Sequence, residues 1–330
     1  MAHRSGSACI LGRPNAGKST LLNALVGEKL AIVTPKPQTT RNRIQGFLNV
    51  PKKGKRPPAQ VVLIDTPGVH KPDSALGRKM MVEVSEALAG CNLVLLIVDA
   101  TRAATLQDDF LLEMAKRAST PVFLLLNKID LIEKGKLLPI IDQCRQLYEF
   151  GEILPISARK RQGLEELIDA VAAAMPPGPH HFPEDEITDL PVRFLAAELI
   201  RERVLLETGE EVPYAASVKI EQWEEGAKLT RIAAVIYCER EGQKGILVGR
   251  GGKMLKKIGT QARLEIERLV GTRVFLELFV KVRAGWRNSR EFVEGLDWRR
   301  QLQDTARLTS DQGDVKNEPQ KLNGPVTKKR

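Results

Sequence analysis

The sequence predicts two domains: an α/β domain with a parallel sheet covered by helices on both faces, then a smaller α+β domain. Three observations carry this. The runs ACILG, VVLID, LVLLIVDA, VFLLLN and ILPIS read as strands buried on both faces, and helix-like stretches alternate with them up to about Met175. Five prolines then interrupt PPGPHHFPEDEITDLP, residues 176–191, which excludes regular helix and marks a boundary. Beyond it the pattern changes to helix, two strands, a glycine loop, helix and strand. A length of 330 residues agrees with two domains.

Taken in order, the helices of the first domain are expected at Ser19–Leu25, Ser74–Ala89, Leu106–Arg117, Lys136–Tyr148 and Leu164–Ala174, with KKGKRPP (52–58) a solvated turn between two strands. The second domain is expected as helix Val192–Leu206, strands Ala215–Trp223 and Thr230–Cys238, a short helix Ile246–Val248, a longer helix Gly259–Val270, and strand Arg273–Arg283. In that last strand Val274, Leu276, Leu278 and Val280 share one face, while Glu277, Lys281 and Arg283 lie on the other. The resulting boundaries are 5–175 for the first domain, 176–191 for a linker, 192–290 for the second domain and 291–330 for a C-terminal extension. The extension is polar, lacks periodicity and is expected to be disordered after about residue 303.

Composition narrows the partners. No apolar run approaches the ~20 residues of a membrane span, and MAHRSGSACILG enters a strand without room for a signal peptide, so a cytoplasmic protein is expected, and a monomer is taken as its state. Cys9, Cys91, Cys144 and Cys238 lie scattered in apolar segments without CxxC pairing, which points to buried reduced thiols rather than disulfides or zinc. The net charge of +10 is unevenly spread. Residues 184–225 hold twelve acidic and four basic residues, whereas 240–290 hold four acidic and thirteen basic. A basic segment of this kind attracts polyanions, nucleic acid first and an anionic membrane surface second.

The chemistry begins at Gly12-Arg13-Pro14-Asn15-Ala16-Gly17-Lys18-Ser19, which matches GxxxxGK[ST] between a strand and a helix and makes the first domain a P-loop NTPase. Glycines let backbone N–H groups close around phosphates, Lys18 neutralises charge, and the Ser19 hydroxyl ligates Mg²⁺. Three further motifs end later strands. In Asp65-Thr66-Pro67-Gly68 the aspartate reaches Mg²⁺ through water, and Gly68 offers an N–H to a γ-phosphate. Asn127-Lys128-Ile129-Asp130 supplies a carboxylate that accepts from both N1–H and N2–H₂ of guanine; adenine lacks that donor pair, which excludes ATP. Ser157-Ala158 offers a backbone N–H to the guanine O6. Ligands of open parallel sheets bind at those C-terminal strand ends.

Gln38-Thr39-Thr40-Arg41-Asn42 lies between the first two motifs, where a loop ordered by γ-phosphate and released on hydrolysis would form a switch. Thr40, ahead of Thr39, is the expected second hydroxyl ligand of Mg²⁺, and Lys18 and Thr40 are the expected catalytic groups. Ras-like GTPases carry a water-orienting glutamine directly after DxxG; here that position is Val69, which makes no side-chain hydrogen bond. Slow intrinsic hydrolysis is expected unless another group intervenes. Asn15 reads either as a ligand to a monovalent cation, potassium, beside the β/γ-phosphates, or as a residue that only shapes the turn. His70 reads as a loop histidine.

A second loop, VGRGGKMLKKIG (248–259), lacks the GK[ST] ending. It contains G-x-x-G as Gly249-Arg250-Gly251-Gly252, followed by Lys253, Lys256 and Lys257. A GxxG between helices in this element order is the arrangement of a KH module, which clamps the backbone of single-stranded RNA. Met254, Leu255 and Ile258 are expected to anchor the helix.

With these motifs the chain resembles the Era family of bacterial GTPases. GRPNAGKST, QTTRN, DTPGVH, NKID and ISA are similar to its GTPase domain, and GILVGRGGKMLKKIG to its type II KH domain, over roughly residues 5–300. The resemblance implies GTP and GDP as ligands, Mg²⁺ as cofactor, and binding of the 3′ end of small-subunit ribosomal RNA in the GTP state. It also implies a role in small-subunit maturation and loose peripheral association with the inner face of the cell membrane. The family shares the hydrophobic residue seen at Val69 and the asparagine seen at Asn15. The alternatives are a GTPase assisting another RNA process such as tRNA modification, and an RNA-binding protein that senses GTP without hydrolysing it.

Overall fold

The computed structural model describes residues 2–36, 38–69, 72–102, 110–209, 211–300 and 326–327. The described residues divide into two compact units, one within 2–69 and 80–189, the other within 72–79 and 190–300.

In the first unit the order is β1 (Arg4–Leu11), α1 (Lys18–Val26), β2 (Ile44–Val50), β3 (Ala59–Asp65), α2 (Ala75–Ala89), β4 (Leu93–Asp99), α3 (Phe110–Arg117), β5 (Val122–Asn127), α4 (Lys134–Arg145), β6 (Glu152–Pro155) and α5 (Leu164–Ala174). Six strands form one sheet in the order β2-β3-β1-β4-β5-β6. Its strands are apolar on both faces because both are covered. Cys9, Leu11, Val94, Leu96, Leu124 and Leu126 pack with residues of α2, α3 and α4, while the intervening Ala8, Ile10, Leu93, Leu95 and Leu125 are fully buried as well. All four cysteines are free and buried.

The sheet is not wholly parallel. β2 runs antiparallel to β3 at one edge, with Ile44 opposite Asp65 and Val50 opposite Ala59. A direct hairpin through residues 51–58 joins them, and so short a connection permits only antiparallel pairing. That turn is also less solvated than its charges suggest. The Arg56 side chain is 6% exposed and donates to Glu165 (3.2 Å) and Asp169 (3.0 Å) of α5, and Lys53 pairs with Glu165 at 3.2 Å. The expected helix Leu106–Arg117 is found as α3 from Phe110, and residues 103–109 lie outside the described ones, as does His70.

The segment expected as a linker contains no helix, but it is fastened to the first unit. Phe182 stacks on Phe47 with ring centroids 3.8 Å apart. The Gln60 amide accepts from the His181 and Phe182 N–H groups (2.7 and 3.0 Å) and donates to the Phe182 carbonyl at 2.8 Å. A short strand follows, β7 (Glu186–Thr188), whose Thr188 hydroxyl donates to the Gln45 carbonyl.

The second unit runs α6 (Val192–Glu207), β8 (Ser217–Glu224), β9 (Leu229–Cys238), α7 (Glu241–Val248), α8 (Lys253–Val270), β10 (Arg273–Val282) and α9 (Arg290–Gly295). Its sheet has the order β10-β9-β8, with β10 parallel and β8 antiparallel to β9. The αββααβ order with a parallel central pair is the type II KH arrangement. Two helices are longer than expected. α7 starts at Glu241, its first turn fixed by Gln243, whose amide oxygen accepts from the Glu239 and Arg240 N–H groups at 2.9 and 3.1 Å. Gly242 and Gly245, poor helix formers, disguise it in the sequence. α8 starts at Lys253 rather than Gly259, because Gly259 is a packing glycine inside the helix: a Cβ there would stand 3.2 Å from Leu278 Cδ1. The expected disordered tail lies outside the described residues, apart from Val326–Thr327, which pairs with β7.

Trp286 closes the second core, fully buried, its Nε1 donating to the Ala215 carbonyl at 2.7 Å. Trp286→Ala removes both packing and bond and is expected to cost ~3–5 kcal/mol; Trp286→Phe should cost less. Urea unfolding of the two variants checks the order, and equal losses would contradict it.

Candidate functional site

The strand order places the motifs along one edge. β1 is central and leads into the phosphate loop; β3 beside it ends at Asp65, while β4 and β5 on its other side end at Asp99 and Asn127. Phosphate-side and base-side groups therefore flank the loop from opposite directions.

On the β3 side, three oxygen-bearing side chains converge. The Ser19 hydroxyl donates to Asp65 Oδ2 at 2.7 Å and lies 2.8 Å from the Thr40 hydroxyl, which reaches the same Oδ2 at 3.3 Å. Asp65 is fully buried, and its other oxygen, Oδ1, accepts no hydrogen bond. Burial pushes its pKa up to about 6, with Lys18, Ser19 and Thr40 pulling the other way. An orphaned buried carboxylate oxygen beside two hydroxyls suits a hard, oxygen-seeking cation, so Ser19, Thr40 and Asp65 fit Mg²⁺. Of the two candidate threonines, Thr39 is turned elsewhere: its hydroxyl donates to the Lys36 carbonyl at 2.6 Å and meets the Thr34 hydroxyl at 2.8 Å. Gln38 has a left-handed backbone (φ 57°), Arg41 is buried, and Asn42 is half-buried.

The loop itself is tightly packed. Lys18 is buried, its Nζ donating to the Gly12 and Arg13 carbonyls at 3.1 and 3.0 Å; burial pushes its pKa down and Asp65 opposes this. Gly17 has φ 106°, and a Cβ there would lie 2.2 Å from Asn127 Nδ2. At Gly68 a Cβ would strike Pro14 Cγ at 2.7 Å, so the DTPG turn lies directly against the phosphate loop. Thr66 donates to the Ile10 carbonyl at 2.8 Å, and Pro67 is buried beside it. Val69 is buried in the core and its N–H donates to the Gly12 carbonyl at 3.2 Å. Asn15 also has a left-handed backbone (φ 62°), and its side-chain N–H donates to the Pro35 carbonyl at 2.8 Å, joining the phosphate loop to the start of the switch segment.

On the base side, Asn127 Nδ2 donates to the Ala16 carbonyl at 2.8 Å, while its Oδ1 accepts from the Ala158 N–H at 3.0 Å. Lys128 is left-handed (φ 66°), and Asp130 stands exposed in the 3₁₀ turn Ile129–Leu131. Ser157 is buried, its hydroxyl accepting from the Lys160 N–H at 3.1 Å. One participant was missed by the sequence reading. Asp99 pairs with Lys128 Nζ at 2.7 Å, and its second oxygen accepts from the Thr101 N–H and hydroxyl at 3.0 and 2.7 Å. Burial alone would raise the Asp99 pKa, but Lys128 and Thr101 outweigh it and hold the carboxyl below its ordinary value. The available signal was positional: LVLLIVDA ends in an acid at the same sheet edge as the other motifs.

In the second unit, Gly249, Gly251 and Gly252 all have positive φ (71°, 61° and 75°). At Gly249 a Cβ would lie 2.7 Å from Met254 Cβ, whereas at Gly251 and Gly252 it would meet nothing within 4 Å. Gly251 and Gly252 thus leave open space in front of the backbone. Arg250, Lys253, Lys256 and Lys257 are exposed around them, and Ile258 is buried with Met254 and Leu255 packed against the same core. Lys257 forms an ion pair with Glu207 of α6, so part of its charge is spent inside the fold.

Comparison with known proteins agrees with this geometry. A family model described as "50S ribosome-binding GTPase" matches residues 7–128, and a KH-domain model matches residues 211–287. The GTPase Era of Geobacter metallireducens is 48% identical over 297 residues, covering 89% of this chain and 98% of the relative. That of Ruminiclostridium cellulolyticum is 46% identical over 300 residues, covering 91% and 99%. Among solved structures, Aquifex aeolicus Era bound to GDP·AlF4⁻ superposes with TM-score 0.81 at 40% identity, covering 88% of this chain and 98% of that one. Era in complex with MgGDPNP and nucleotides 1506–1542 of 16S ribosomal RNA gives TM-score 0.82 at 39% identity, with the same coverage. Identity of this degree across nearly the whole chain, with both domains matched in order, places the protein in the Era family of GTPases.

Proposed function

We propose that this GTPase is a guanine-nucleotide switch that binds the 3′ end of small-subunit ribosomal RNA through its glycine loop and acts in maturation of the small ribosomal subunit. The observation that carries the switch is the convergence of Ser19, Thr40 and Asp65. The phosphate-loop hydroxyl, the switch threonine and the DTPG carboxylate meet within hydrogen-bond distance. The related Era solved with 16S ribosomal RNA nucleotides supports the partner.

In this reading the backbone from Gly12 to Ser19, including Arg13, Pro14, Asn15 and Ala16, wraps the phosphates. Lys18, already held among the loop carbonyls, turns its ammonium to the β/γ-phosphates. Ser19, Thr40 and, through water, Asp65 would hold Mg²⁺, which would neutralise charge on the phosphoryl oxygens. Gly68 directs its N–H to the γ-phosphate from a turn pressed against Pro14. Asp130 accepts from the guanine edge, with Asn127, Lys128, Ser157 and Ala158 fixing the base. Because Val69 faces the core, no side chain at that position orients water. Asn15 is our candidate for the missing electrostatic device: its amide nitrogen is anchored to Pro35, which sets the side chain beside the switch segment as a ligand for potassium. In the second unit, Gly249, Arg250, Gly251, Gly252, Lys253 and Lys256 receive RNA phosphates, and Lys257 does so by exchanging Glu207 for one. No described helix is long and apolar enough to cross a membrane; loose association with an anionic surface would rest on the same basic segment.

Two outcomes are expected. Asp130→Asn weakens GTP binding by about 1.5–3 kcal/mol, the worth of hydrogen bonds to a charged group. The same change shifts preference toward xanthosine triphosphate, whose C2 oxygen suits an amide donor. Unchanged GTP affinity by calorimetry would mean that the base pocket lies elsewhere. Multiple-turnover phosphate release should be faster in potassium than in sodium for the wild type and nearly salt-indifferent in Asn15→Ala; equal wild-type rates in the two salts would remove the cation.

A further inference from the structure

We propose that the outward face of β10 is a second RNA surface, on which Phe275 and Phe279 each stack a base of the same single strand whose backbone the glycine loop holds. This rests on the reading of that loop as an RNA clamp. Among the described residues β10 is an edge strand, paired only with β9. Its residues alternate: Val274 is buried, while Arg273, Phe275, Glu277, Phe279 and Lys281 face outward and are exposed. The two rings are 47% and 51% exposed, on a strand whose other apolar residues turn to the core.

The surroundings fit a nucleic acid strand. Across the register, Phe275 faces Arg231, whose guanidinium lies 5.6 Å from the ring centroid, and Glu277 and Phe279 face Ala233 and Val235. Both rings remain about half exposed there, although Ala233 and Val235 beside them are buried. At the far end Phe292 of α9 covers Tyr237 (ring centroids 5.0 Å apart) and takes Arg283 over its own ring at 4.3 Å, so the open platform is confined to the Phe275–Phe279 stretch. Arg273 and Lys281 on β10, Arg231 on β9 and Arg283 just beyond β10 supply the cations of this face, against Glu277 on β10 and Glu221 and Glu224 of β8, which lie beside Tyr237 and Arg231. Residues four apart on a strand are about 14 Å apart, so each ring takes its own base. Aromatic rings accept any base while flanking cations take the phosphates, the recipe for sequence-tolerant single-strand binding. Glu277, between the rings, is placed to accept from an exocyclic base amine. α8 starts at the glycine loop and packs on the inner face of β10 at Gly259 and Leu278. The helix that the loop opens and the two rings therefore lie on opposite sides of β10, and a strand that reaches both passes its edge.

The test uses the full chain and two unstructured RNAs. One has about four nucleotides, the span of a GxxG clamp; the other has about twelve, within the range of extended single-strand sites. Wild type is expected to bind the longer RNA roughly a hundredfold more tightly by fluorescence anisotropy, the product of two stacked bases. Phe275→Ala with Phe279→Ala should lose that gain, roughly tenfold per ring. It should keep short-RNA affinity and GTP hydrolysis, and tyrosine at both positions should retain the gain. Arg231→Gln with Lys281→Gln, which spares the rings, should lower the long-RNA salt slope by about 1.4, the value for two single-strand phosphate contacts. An alanine variant that binds the long RNA like wild type overturns the proposal. So does one that keeps RNA affinity while changing its oligomeric state in sedimentation, which would make the face a protein interface. Failure of the loop reading shows separately: Arg250→Asp with Gly251→Asp would then leave short-RNA binding intact.

Discussion

The nucleotide site depends on one side-chain amide. Asn127 gives its nitrogen to the Ala16 carbonyl and its oxygen to the Ala158 N–H, at 2.8 and 3.0 Å, while almost completely buried. It thereby locks together three loops that leave the sheet from β1, β5 and after β6. The Gly17 backbone is packed so close to it that no side chain fits between. Each such bond contributes only ~1 kcal/mol when made, but leaving the two buried backbone groups unpaired would cost more. The arrangement is thus strongly specified, and Lys128, Ser157 and Ala158, which we assign to the base, inherit their positions from it. Lys128, turned into left-handed backbone and pinned by Asp99, is held in the same way.

The opposite side of the phosphate loop is organised by a cost rather than a gain. A carboxylate at Asp65 with one oxygen orphaned and its pKa raised by burial is an unfavourable thing to build into a core. Lys18 and the hydroxyls of Ser19 and Thr40 offset part of it. A divalent cation would offset much more, which ties the conformation of the switch segment to metal and nucleotide. Val69 shows the complementary choice: the residue after the turn is spent on the core, so hydrolysis must draw its transition-state stabilisation from elsewhere.

Much of this was legible in the sequence because phosphate binding demands particular residue types at fixed spacing. GRPNAGKS, DTPG, NKID and ISA lie at strand ends as the apolar runs indicate, and Thr40 rather than Thr39 sits beside Ser19. What was not legible depended on tertiary context. The antiparallel β2 follows from a hairpin whose basic turn looked solvated, yet Arg56 is buried against α5. α7 is disguised by Gly242 and Gly245, and the first turns of α8 lie N-terminal to Gly259, expected to open the helix but serving instead close packing against Leu278 inside it. The proline-rich segment excluded helix, but nothing local revealed that Phe182 would stack on Phe47. Asp99 carried no motif of its own and acquires meaning only beside Lys128.

The central claim is that guanine nucleotide governs RNA binding by this chain. The most direct measurement is the affinity of the full-length protein for an oligonucleotide of the small-subunit ribosomal RNA 3′ end, loaded in turn with Mg²⁺ and a non-hydrolysable GTP analogue, or with GDP. The account predicts clearly tighter binding in the GTP-analogue state, with the difference abolished when Thr40 is replaced by alanine. Equal affinity in the two nucleotide states would contradict it.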